Sequence, residues 1–240
     1  MNTLIKENLN NLFKRSYEQV IDYDFKKLIK NPKSFNLNLG FITNLYDNNE
    51  VKNLKKALKN PLLLSAFKDA TTFSLNDPKV LEKLTRDIVD SIKLINEEAS
   101  NKKAGSKNQI IFLEYNFSYQ ACFCGFGEGT YPILKSPEYI SYNYKDEIYN
   151  GIGKIDLSEI FNNLTKLDNL MEELEIDEQI WDSDFYKNIL SAYKYSACLT
   201  LHEVFEKLGN NLFSEISIAK PLYIYLNEHD LEAMNVFCIY

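Results

Sequence analysis

A chain of 240 residues with 34 acidic against 27 basic side chains, a formal charge of −7, can bury a substantial core but is ill suited to neutralising a phosphate backbone. With 45% apolar and 25% charged residues, and only 8 glycines and 6 prolines, it has a globular and not a low-complexity composition. No stretch approaches the run of about 20 apolar residues that spans a bilayer. The amphipathic opening MNTLIKENLNNLFKR has no secretory apolar core, so a reduced, cytoplasmic setting with the four cysteines as thiols is expected. These features argue against nucleic acid and membrane as partners and favour a basic protein.

The first hundred residues read as helical. Leu4, Leu9, Leu12, Phe13, Val20 and Phe25 fall near helical spacing, and Asn31-Pro32 ends that run because the residue before proline disfavours the helical basin. Val51 to Leu58 is a further helix. Asn60-Pro61 and Asp77-Pro78 each pair a capping side chain with proline at the first helical position. After the second, Leu81, Leu84, Ile88, Ile92 and Ile95 form one apolar stripe.

The polar stretch 101–108, NKKAGSKN, has the composition of a linker and places a boundary between a helical region, 1–104, and an α+β domain, 109–240. Ile110 to Tyr115 and Ala121 to Phe126 flank a turn at 116–119 and predict an antiparallel hairpin. Tyr139 to Tyr149 reads as another strand. Asp156 with Glu159 has the spacing of a capping box before Leu157, Ile160, Phe161, Leu164 and Leu167. A second helix from about Ser183 buries Ile189, Tyr193, Leu201, Val204 and Leu208 and stops at Gly209. Strands at 216–226 and 235–240 follow, with Pro221 confining the first to an edge or a bulge. The fold class expected is α+β: a helical N-terminal region, then a mainly antiparallel sheet packed with two helices.

Chemistry is sparsely signalled. His202 and His229 are the only histidines, which limits the commonest general base and metal ligand. Cys122-x-Cys124 on a strand and Cys198-x-x-x-His202 on a helix each put two ligand types on one face, the arrangement zinc would need if the faces met; buried small hydrophobes are the plainer reading. Gly125, Gly127 and Gly129 lead into Tyr131-Pro132 and not into a helix, so they suit a bulge better than a phosphate loop. Glu114 and Glu128 have no spacing that marks an acid–base pair, and His229-Asp230 reads as a solvated turn. No catalytic residue and no cofactor is expected.

The acidic run 171–185, MEELEIDEQIWDSDF, surrounds the sole tryptophan. Asp177, Glu178, Trp181, Asp182 and Asp184 are the candidate partner contacts, because clustered charge steers encounter and tryptophan often supplies interface energy. The alternative is a solvated connection with Trp181 in the core.

The order of IIFLEYN, DLSEIFNNL, DSDFYKNILSAYKYSACLTLHEVFEKLGNNLF and ISIAKPLYIYLNEHD resembles small α/β immunity proteins encoded beside bacterial polymorphic toxins. In those families a closing helix ends in an L-x-x-L-G-x-x-L-F-like turn, followed by a strand with an acidic tip. The resemblance covers the C-terminal half and implies a protein that neutralises a cognate toxin by stoichiometric binding. A zinc- or thiol-dependent enzyme built on Cys122, Cys124, Cys198 and His202, or a structural subunit assembling through the N-terminal helices, are the other readings.

Overall fold

The computed structural model describes residues 1–21, 48–73, 75–100, 107–127, 132–141, 147–181 and 183–240. The helices are α1 (Asn2–Ile21), α2 (Asn48–Ala57), α3 (Pro61–Ala70), α4 (Pro78–Ser100), α5 (Ser158–Glu173), α6 (Asp177–Trp181) and α7 (Asp184–Leu208). The strands are β1 (Asn108–Tyr115), β2 (Gln120–Phe126), β3 (Glu147–Asp156), β4 (Ile218–Glu228) and β5 (Ala233–Ile239). The chain is α+β, and its sheet, ordered β3-β2-β1-β4-β5, is antiparallel throughout except where β1 runs parallel to β4.

Local chemistry sets several boundaries. The Asn60 side chain accepts from Leu62 N at 2.9 Å and Asp77 Oδ1 from Lys79 N at 2.8 Å, so both asparagine/aspartate-proline pairs do start helices. On α4 the stripe Leu84, Ile88, Ile92 and Ile95 is buried. At the other boundary Gly209 ends α7 in the left-handed region, φ 70°, where a side chain would be strained.

Contacts divide the residues into two compact units that interleave along the chain, a different grouping from a cut at 101–108. One comprises 1–11, 75–160 and 196–240, and contains the sheet. The other comprises 12–74 and 161–195, and its described elements are helices. Interleaving arises because β1 takes the C-terminal β4 as its neighbour, and a parallel pair needs a long crossover.

In the sheet unit the hairpin pairs Phe112 with Cys124 and Glu114 with Cys122. Side chains alternate across a strand, so Phe112, Glu114, Cys122 and Cys124 share one face, while Leu113, Tyr115 and Phe123 belong to the other. Helix α4 covers the free edge of β3. Ser91 Oγ accepts from Lys154 N at 3.2 Å and Asp87 Oδ2 from Asp156 N at 3.1 Å, which satisfies backbone donors that an open edge would expose. Gly153 permits this approach, since a Cβ there would collide with Ser91. Gly125 has a similar role inside the sheet, where the ring of the fully buried Tyr149 occupies the space a side chain would need.

The helical unit is held by aromatic packing. Phe67 of α3 meets Phe185, and Tyr193 of α7 packs with Phe73 and Phe161 while its hydroxyl donates to Ala70 O at 2.9 Å. A buried phenol needs such a partner.

Several expectations are corrected. Of the strand expected over Tyr139–Tyr149, residues 139–141 are not strand, 142–146 lie outside the described residues, and β3 runs from Glu147 to Asp156 with Gly151 and Gly153, both at positive φ, accommodated within it. Glu138 instead makes an isolated bridge with Ala233. Asp156 caps α5 by accepting from Ser158 N at 3.0 Å, but the reciprocal half of the box is not made, because Asp156 N donates to Asp87 and Glu159 lies beside Lys83. The expectation for Pro221 holds in its second form: β4 is not an edge strand, and the β1–β4 register shift between Asn108 and Ile110, a bulge or irregularity, spans this position. Phe25, Asn31-Pro32, Gly129, Glu128, Asp182 and most of the linker fall outside the described residues.

Candidate functional site

Two surfaces carry the polar chemistry, one in each unit. In the sheet unit a groove of about 280 Å³ opens on the face shared by Phe112, Glu114 and Cys124. Its far wall is the segment holding Tyr139 and Ile140, fastened to β5 by the Glu138–Ala233 bridge. Leu134 N donates to Asn235 Oδ1 and Tyr225 Oη to Pro132 O, which anchor the start of that segment over the sheet.

At the mouth of the groove His229 Nδ1 donates to Glu114 Oε1 at 2.6 Å, and its Nε2 lies 3.4 Å from Asp230 Oδ2. The Glu114 hydrogen bond and charge hold the His229 imidazole above its usual pKa. This pairing joins residues 115 positions apart and depends on register: Tyr115 lies opposite Glu228, and His229 N continues the alignment by donating to Tyr115 O at 2.8 Å. Asn227 is 9% exposed, and its Nδ2 reaches Glu114 Oε2 only at 3.4 Å. Its Oδ1 has no hydrogen-bond partner among the described residues, an orphan acceptor of a kind that native proteins rarely leave buried.

The four candidate zinc ligands do not assemble. The sheet separates the pairs: Cys122 and Cys124 share the Glu114 face, whereas Cys198 of α7 interacts with Tyr115, the next residue along β1 and on the opposite face. His202 is fully buried, donates from Nδ1 to Val236 O at 2.7 Å, and is pushed down in pKa by that burial. Among the described residues no three His, Cys, Asp or Glu side chains are grouped to hold a metal ion. Cys124 donates to Asn150 Oδ1 at 3.0 Å, and its hydrogen bond with Cys122, together with burial, raises its pKa far above the ordinary thiol range. The same contact with Cys124 lowers the half-buried Cys122, against the effect of burial.

In the helical unit Glu172, Glu173, Glu175, Glu178 and Asp184 are exposed and Asp177 partly so. None of Asp177, Glu178 and Asp184 forms an ion pair with a described residue. Trp181, at the end of α6, is 39% exposed and thus not wholly tucked into the core. The Trp181 side chain lies by the Asp168 carboxylate, which accepts from Tyr186 Oη at 2.7 Å; burial raises that carboxyl against the pull of both side chains.

Sequence reasoning located the acidic surface, since a charge run around a lone tryptophan is contiguous. It missed the groove, whose only local signals were an acid in a strand and a histidine in a turn. Among the described residues no helix is long and apolar enough to cross a membrane. Set against protein families, curated proteins and solved structures, the chain matches none.

Proposed function

We propose that this chain is a cytoplasmic binding protein that neutralises a cognate toxin by stoichiometric attachment to a basic surface of that toxin. The observation that carries the reading is Trp181: a partly exposed indole, bordered along the chain by Asp177, Glu178 and Asp184. Aromatic anchors supply a large part of interface energy, and unpaired carboxylates around one steer a basic partner while costing it little in broken ion pairs. The net charge of −7 acts in the same direction at longer range.

The test is mass spectrometry of what stays bound when the protein is gently purified from its host, followed by titration of the purified pair. A stoichiometric basic protein is expected, whose affinity falls on Trp181→Ala and loses salt sensitivity when Asp177, Glu178 and Asp184 are neutralised together. A partner bound equally well by all variants would remove this surface from the reading. Preparations that never retain a protein would remove the reading itself.

A further inference from the structure

The geometry points to the Glu114 groove as a pocket for one arginine side chain of a partner protein. This deepens the binding-protein reading and rests on it for the source of the guanidinium. Among the described residues the groove is lined by two carboxylates, Glu114 and Asp230, and by no lysine or arginine. His229 engages Oε1 of Glu114, whereas among the described residues Oε2 has only the long contact from Asn227. Beside it lies Asn227 Oδ1, also without a partner among those residues. Two neighbouring acceptors of this kind suit a planar fork of N–H donors better than the compact ammonium of lysine.

The walls favour the same group. Phe112, Phe126 and Tyr139 line the groove, and aromatic faces stack on guanidinium and attract its charge. The rim argues for a protein over a free small molecule. Tyr139 is 70% exposed and Leu231 43%. Apolar side chains ringing a polar hollow are the rim that a macromolecular surface covers, and a free amino acid would leave them wet.

The experiment uses the full chain and three capped tripeptides, acetyl-Ala-Arg-Ala-amide and its lysine and citrulline counterparts, with free arginine as a fourth probe. Because His229 and His202 are the only histidines, ring proton signals provide a reporter at the groove and a buried internal control. The arginine peptide should shift His229 saturably and leave His202 still, with the lysine peptide weaker and citrulline silent. Glu114→Gln should weaken binding by about tenfold or more, the effect of losing a charge-assisted hydrogen bond. Since that change also breaks the His229 pair, Tyr139→Ala serves as a second variant at an exposed position and should weaken binding about threefold through the lost stacking.

No saturable shift, or equal shifts from arginine and citrulline, would overturn the pocket. Free arginine binding as tightly as the peptide would overturn the protein source and point to a metabolite. Trp181→Ala should leave peptide binding unchanged, so the pocket and the Trp181 surface succeed or fail independently.

Discussion

The groove of the sheet unit concentrates two carboxylates, a histidine and a buried amide in a concavity, whereas the Asp177–Asp184 surface spreads its charges over exposed positions around one indole. In the first, Glu114 already has His229 as a counter-group, so a guanidinium must compete or add to it. In the second, solvated carboxylates form no ion pair with a described residue, and one partly exposed aromatic ring stands among them. The difference teaches that equal acidity can serve selection of one side chain in a shaped site, or long-range attraction on an open one.

The largest effect that would break this comparison is structural. Gly125→Val should lower the stability of the sheet unit by about 3 kcal/mol or more, because the new side chain collides with Tyr149 and Asn108. Urea unfolding followed by circular dichroism measures it, while Trp181, the single tryptophan, reports the helical unit by fluorescence. Coincident midpoint shifts in both signals would show the two units unfolding as one.

Next in size, Trp181→Ala should weaken the toxin complex by about 2 kcal/mol, roughly thirtyfold, and Trp181→Phe by less. Calorimetry at fixed salt decides this. An unchanged dissociation constant would make the surface a solvated face with no anchoring role.

Neutralising Asp177, Glu178 and Asp184 together should reduce affinity about fivefold, mainly through a slower association rate, and flatten its dependence on ionic strength. A slope unchanged between low and high salt would transfer the steering to other carboxylates.

The smallest effect concerns pH. The hydrogen bond His229 donates to Glu114 raises the folded-state pKa of His229 above the ordinary value of 6.5. The pair therefore stabilises the fold fully below that unfolded value, and the contribution is lost as pH rises through the higher folded value. The exposed imidazole makes the change small. In Glu114→Gln, denaturation midpoints should vary less across this window than in the parent, and a parallel profile would assign the dependence to another group.

Much of the fold was written locally. Asn60 and Asp77 mark helix starts with side chains that satisfy nearby backbone donors, and the Leu84–Ile95 stripe reports burial because a 3.6-residue repeat is a property of the segment alone. The hairpin was equally legible, since β-forming runs bracket a turn in which Asn116 Oδ1 accepts from Ser118 N at 3.0 Å. Asp156 was read correctly as a cap and incorrectly as half of a reciprocal box, because Asp87, 69 residues earlier, claims its backbone donor.

Tertiary structure decided what joins distant positions. Parallel pairing of β1 with β4 interleaves the units, and places His229 on Glu114 and Asn227 beside it. The same sheet keeps Cys122 and Cys124 apart from Cys198, although each pair had an acceptable local spacing. Local sequence therefore determined caps, stripes, the hairpin and the acidic surface, whose causes act within a few residues. The groove and the fate of the cysteines depended on strand order and register, which arise from long-range burial and pairing and leave no mark on any short segment.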